Sequence, residues 1–150
     1  MHTLIFPQRI FIRSFLNPFS NLKSKSMDSE NLFSFESLVV YKKAIEYIDY
    51  VYLLTNRFPT SEKFGMSSQW RRAASSIALN TGEGAGSSDA DFINFLGIAK
   101  RSIRECVVTT TISYRQNYIS KESFNESRSK LVELSKLNSG LVNSIKRKMK

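Results

Sequence analysis

Proline stands at positions 7, 18 and 59 and nowhere else in the 150 residues. From Thr60 to Lys150 no proline ring interrupts the backbone, and apolar residues recur there at three- and four-residue spacing, the period of a helix with one buried face. A chain written this way is expected to be all-α, and its apolar stripes divide it into four helices.

The first helix is expected over about 35–57, with Leu38, Tyr41, Ile45, Ile48 and Tyr52 as its stripe. Phe58-Pro59 closes it, because the residue before proline avoids the α region. The second runs about 67–82. At 100° per residue, Met66, Trp70, Ala73 and Ile77 share a face. Gln69, Arg72, Ser76, Asn80 and Glu83 form a polar stripe beside it, and Arg71, Ala74, Ser75 and Ala78 lie round the back. Gly82 and Gly84 are read as a left-handed cap ending this helix. The third starts at the N-cap Ser88, with Asp89 and Asp91 at the positive end of the dipole, and runs to about 118. Phe92, Phe95, Leu96, Ala99, Ile103, Cys106, Val107 and Thr110 form its apolar face. The fourth follows Ser120, with Phe124, Leu131, Leu134, Leu137, Leu141 and Ile145 inward. Short connections between four such helices give an up-and-down four-helix bundle over residues 27–150.

The chemistry this sequence can carry is narrow. The lone histidine is His2 and the lone cysteine Cys106, so no zinc set, His-based triad or disulfide framework is spelled out, and no cofactor or metal is expected. Cys106 falls on an apolar face, where a thiol is inert. Ser76, Tyr41 and the pair Glu83 and Glu105 are the other groups an enzyme would need, without a partner base. The chain is therefore read as no enzyme. A single cysteine also fits a reducing, cytoplasmic setting.

The net charge of +9 points to a polyanionic partner, but it is unevenly placed. Residues 1–26 carry Arg9, Arg13, Lys23 and Lys25 with no acid, and 146–150 carry Lys146, Arg147, Lys148 and Lys150, which leaves the body at +1. The first 26 residues form a basic, Phe-rich tail. Pro7, Arg9, Arg13 and Pro18 break every apolar run in it, so neither a secretory signal nor a membrane span is expected. A transit peptide or a membrane-surface helix is the alternative for it; it is read instead as a disordered tail or as a start placed too early, with Met27 opening the natural chain.

The third helix has a second face. Ile98, Arg101, Glu105, Val108 and Ile112 line up opposite the apolar one, with Arg104 at the border. Branched aliphatics among charges fit a neighbouring subunit; they equally fit scattered surface residues or packing on the fourth helix.

The order of motifs resembles the four-helix bundle proteins encoded by intervening sequences in 23S ribosomal RNA genes, also filed as S23 ribosomal proteins. The resemblance spans roughly residues 33–147. It is carried by FESLVVYKKA at 35–44, FPTSEKFGMSSQWRRAASSIALNTGEG at 58–84, FINFLGIAKRSIRE at 92–105, NYIS at 117–120 and LVELSKLNSGLVNSIK at 131–146. Ala78 stands where the family usually has proline, Thr81-Gly82 where it has Ile-Ala, and Arg101-Ser102 where it has Gly-Ser. The resemblance implies a small homo-oligomer, with pentameric barrels known in the family. It also implies, for the branch that is the accessory variability determinant of diversity-generating retroelements, binding to nucleic acid and to a reverse transcriptase.

Two accounts of the segment QWRRAASSIALNTGEG follow. In the structural one Trp70 anchors the core, Arg72, Asn80 and Glu83 serve packing and pairing, and Glu105, Val108 and Ile112 serve assembly. In the functional one Arg71, Arg72, Lys100, Arg101, Arg104 and Arg115 build a basic surface from the second and third helices that binds RNA or DNA, with Arg72 assigned rather to the structural account and Glu83 and Glu105 expected to neutralise part of the surface. A protein–protein scaffold without nucleic-acid affinity is the competing function.

Overall fold

The computed structural model describes residues 33–150; the expectations for the tail over 1–26, and for 27–32, lie outside the described residues. Four helices are present among them: α1 Val39–Thr55, α2 Met66–Gly84, α3 Asp89–Arg115 and α4 Lys121–Lys148. A 3-10 turn, Ser34–Ser37, precedes α1, and another, Thr60–Glu62, sits between α1 and α2. No strand occurs among the described residues, and the helices pack as the up-and-down bundle the periods imply.

The helix ends are chemically explicit. Ser88 accepts a hydrogen bond from the Asp91 N–H at 3.2 Å, and Ser120 one from the Ser123 N–H at 3.2 Å, each satisfying a donor that the helix itself leaves free. Glu62 Oε2 accepts from the Met66 N–H at 2.9 Å and starts α2. The third helix stops short of the expected 118. Asn117 takes a left-handed φ of 59°, and the Tyr118 N–H donates to Ser113 O at 2.9 Å, the C-terminal turn that asparagine tolerates. The first helix starts later than 35, because Leu38 is extended, with ψ 126°, between the 3-10 turn and α1.

The core corrects the first-helix stripe. Val40, Ala44, Tyr47, Val51 and Leu54 point inward, while Leu38, Tyr41, Ile45 and Ile48 are half-buried on the flank and Tyr52 is exposed. The two stripes lie one residue apart, so both read as helical. The inner one wins through hydrogen bonding. Trp70 Nε1–H donates to Tyr47 Oη at 3.2 Å, Tyr47 Oη is hydrogen-bonded to Ser127 Oγ at 3.0 Å, and Ser127 Oγ to Thr110 Oγ1 at 2.9 Å. Each helix contributes one residue to this chain, which fixes the register of all four and leaves these buried groups paired.

The second helix is also buried on more sides than its pattern shows. Ala74 and Ala78, assigned to the back, are buried together with Ala73, Trp70 and Ile77. Neither Gly82 nor Gly84 ends it in a left-handed cap, since no glycine has positive φ among the described residues. Their role is space. A Cβ on Gly84 would stand 2.7 Å from Phe92 Cδ2 and from Phe95 Cβ, and one on Gly82 3.4 Å from the Phe35 ring.

Candidate interaction surfaces

The outer face of α2 carries Ser68, Arg72, Ser75, Leu79 and Gly82 at helical spacing. Mostly short side chains there leave α2 recessed between its neighbours. Two adjoining hollows result, of about 940 and 700 Å³, which share Ser75 and Leu79. Tyr41, Ile45 and Ile48 wall one of them, with Phe35 at its end; Tyr52, Phe64 and Glu105 border the other. The displaced stripe of α1 thus becomes the wall of a concave face. Leu79 is 68% exposed and Phe64 88%, so large apolar side chains stand open to solvent on this face. Val108, Ile112 and Ile98 are exposed on α3, so the fourth helix does not cover them.

The predicted basic surface does not assemble as one patch. Arg71 is turned onto α1: Nε–H donates to Thr55 Oγ1 at 2.7 Å, Nη2–H to Asn56 Oδ1 at 2.9 Å, and the guanidinium lies 4.6 Å from the Tyr52 ring centre. It staples α2 to the end of α1. Trp70 is fully buried, as the structural account requires. Asn80 folds back on its own helix, donating to Ser76 O at 2.7 Å, and Ser76 in turn accepts from Ser102 Oγ at 2.8 Å. Among the described residues the ion pairs are Lys43–Glu46 at 2.7 Å and Lys130–Glu126 at 3.4 Å. Arg72, Glu83 and Glu105 therefore neither pair with each other there nor neutralise the arginines. Arg72 and Glu105 line the larger hollow, Glu83 the other.

Lys100, Arg101, Arg104 and Arg115 are all exposed on α3. Ser102 faces α2 through its bond to Ser76, so Lys100 and Arg104, each about 160° around the helix from it, stand on the side away from α2. Sequence reasoning joined them to the wrong neighbour. Their companions are on α4, where Arg128 and Lys136 are exposed as well. A sequence signal for this existed: Lys121, Arg128 and Lys146 fall within about 20° of one another on a helical projection of α4.

The groups an enzyme would use are dispersed. Cys106 is a fully buried free thiol, pushed well above the ordinary thiol range by burial and, secondarily, by the Glu105 charge. Tyr41 and Glu83 line one hollow and Ser76 and Glu105 the other. No group of three or more His, Cys, Asp or Glu able to hold a metal occurs among the described residues. None of the described helices is long and apolar enough to cross a membrane.

The family model described as 23S rRNA-intervening sequence protein matches residues 36–140, from the turn before α1 into α4. The chain belongs to that family. A solved structure of a protein with unknown function from the S23 ribosomal protein family of Bacteroides thetaiotaomicron VPI-5482 is similar over 69% of this chain and 98% of its own, with 29% identity and a TM-score of 0.65. Curated proteins give no match. The intervening-sequence family match thus takes in the recessed α2, the glycines beneath Phe35 and Phe92, and α3 with its exposed cations.

Proposed function

We propose that the chain is a non-enzymatic nucleic-acid-binding adaptor that works as a homo-oligomer in the cytoplasm. The observation that supports it best is the sorting of charge by helix. Residues 33–88, which hold α1 and α2, carry six Lys and Arg against five Asp and Glu; residues 89–150, with α3 and α4, carry twelve against six. The near-neutral body average conceals a basic half whose exposed arginines are free of ion pairs among the described residues. Guanidinium and ammonium groups held on a rigid scaffold are suited to phosphate. The concave face supports self-association, since Leu79, Tyr52 and Phe64 offer apolar area to a second copy. A closed ring, such as the pentamer the resemblance implies, would repeat the basic surface and add avidity.

The exposed apolar face also favours a second reading, an assembly scaffold without nucleic-acid affinity. Native mass together with titration against mixed-sequence RNA and DNA at low and physiological salt separates the two. The adaptor gives an oligomer whose binding weakens steeply with salt. An oligomer that binds nothing at low salt makes the scaffold the function, and a monomer that binds nothing removes both.

A further inference from the structure

We propose that the outer seam between α3 and α4 is a docking site for the phosphate backbone of duplex nucleic acid, held by Lys100 and Arg104 from α3 and Arg128 and Lys136 from α4. The proposal rests on the nucleic-acid reading and assigns it a place.

Register brings these cations together. Thr110 bonds Ser127, Asn138 Nδ2–H donates to Leu96 O at 3.1 Å, and the Tyr114 and Phe124 rings pack 4.8 Å apart. The two helices therefore run antiparallel, with Lys100 level with Lys136 and Arg104 at a height between Arg128 and Lys136. Helical phase puts them on one side. Lys100 and Arg104 point away from α2, opposite the Ser102–Ser76 bond. On α4 the carboxylates mark the flank toward α1: Glu126 pairs with Lys130, and Glu133 lines a small cleft against Lys43 and Glu46 of α1. Arg128 stands about 160° around α4 from Lys130, on the α3 side, and Lys136 lies at the outer edge of that side. On α3, Glu105 faces the hollow over α2. The seam is thus lined by exposed cations, with Glu105 and Glu126 turned to other faces and the Glu133 carboxylate beside it, at the outer edge next to Lys136.

The seam is also long. Arg115 and Lys121 continue it at one end and Lys146 at the other. From Lys121 to Lys146 the rise is about 37 Å at 1.5 Å per residue, the length of about eleven base pairs of duplex.

The surroundings of the cations select the ligand. Single strands are held by bases stacked on exposed aromatic rings. The exposed aromatics among the described residues, Phe33, Tyr52 and Phe64, all lie before or on the α1–α2 side. Tyr114 and Phe124 are packed against each other under the Lys121 ammonium, 5.1 and 4.9 Å from their ring centres. Val132, half exposed at the middle of the seam, offers no stacking surface. Cations without a stacking platform recognise backbone rather than base, and a duplex presents backbone at the highest charge density.

The test titrates the full chain with a short mixed-sequence RNA duplex, its DNA counterpart and the separated strands across a salt series. The unaltered chain should bind duplex more tightly than single strand. Replacing Lys100→Gln, Arg104→Gln, Arg128→Gln and Lys136→Gln together should flatten the log–log salt slope by about four, one for each phosphate no longer neutralised, with helicity and native mass unchanged. The α4 pair alone, Arg128→Gln with Lys136→Gln, should flatten it by about two and carries the test if the fourfold variant loses helix. Lys42→Gln with Lys63→Gln, both exposed and outside α3 and α4, should leave the slope in place. Binding of either duplex with these slopes supports the site and identifies the backbone it takes. A fourfold or α4-pair variant that binds as the unaltered chain does overturns the seam while leaving the nucleic-acid reading standing. Preference for single strands overturns the duplex assignment. No salt-sensitive binding by the unaltered chain overturns the reading and the seam together.

Discussion

The α1–α2 side and the α3–α4 side of the bundle are built from the same period and offer opposite surfaces. On the first, short side chains on α2 sink between neighbours and expose Leu79, Tyr52 and Phe64. On the second, exposed Lys and Arg stand along two full-length helices, with Glu105 toward α2 and Glu126 and Glu133 toward α1. One face can gain by losing water and the other by displacing counterions. Because the faces use different helices, filling one leaves the other open.

The sharpest way to break this division is to put the same charge on both sides. Leu79→Asp should abolish association and yield a monomer by native mass, with little loss of fold because Leu79 is already 68% exposed. Val132→Asp, on the basic seam and 51% exposed, should leave the mass as it is and weaken nucleic-acid binding instead. Loss of assembly in both variants, or in neither, would contradict the assignment of the two faces.

The next effect concerns the join between the halves. Gly84→Ala places a methyl 2.7 Å from Phe95 Cβ, an atom tied closely to the α3 backbone, so α2 and α3 must part. A loss of about 1–3 kcal/mol is expected from such overpacking, measured by urea unfolding. Gly82→Ala meets only the Phe35 ring at 3.4 Å, and the gain of about 1 kcal/mol in helix propensity should hold or raise stability. Equal losses at both glycines would mean that close packing is not what these positions provide.

Much of this was legible beforehand. The serine cap at Ser88, the start of α4 after Ser120 and the anchoring role of Trp70 follow from local chemistry, because a cap is satisfied within its own turn. What periodicity cannot settle is the choice between adjacent stripes. The Leu38–Tyr52 stripe is the bulkier of the two on α1, yet Tyr47 takes the core because Trp70, Thr110 and Ser127 from three other helices meet around its hydroxyl. Pairing across helices was misplaced for the same reason. Arg71 sits three residues from Ala74 in the sequence pattern, but its partners Thr55 and Asn56 end a different helix. The basic surface was half visible: Lys100 and Arg104 stood out on α3, whereas Arg128 and Lys136 gain meaning only once α3 and α4 are set side by side. The end of α3 was misplaced at 118: Asn117 takes left-handed backbone, and the apolar period alone carries no mark of that turn.

The smallest effect is a pH dependence that separates the two seams of α4. Toward α1, that helix is held by phenols. Tyr50 Oη–H donates to Ser123 O at 3.0 Å, and burial, reinforced by the Glu126 charge, pushes its pKa up to about 12. Tyr47 is driven up further by burial. A phenol with a higher pKa folded than unfolded stabilises the fold fully below the ordinary value near 10. As pH rises past 10 the unfolded chain ionises first, and that stability is lost progressively up to the folded value. Toward α3, the contacts among Thr110, Ser127, Asn138 and Leu96 involve no carboxylate or phenol of α3. Unfolding free energy should therefore stay level from neutral pH to about 8, begin to fall as the Cys106 thiol ionises in the unfolded chain near its ordinary value of about 8.5, and fall further between about 10 and 12 through the phenols, and Tyr50→Phe should reduce the size of that later fall while lowering stability only slightly at neutral pH. A Tyr50→Phe chain with the full alkaline loss would show that its phenol contributes none of it. Glu122 provides the opposite arm. Its own backbone N–H and the Ser120 hydroxyl hold its carboxyl below the ordinary range, so its contribution is present at neutral pH and disappears as pH drops through the acid range, leaving the α1–α4 phenols untouched.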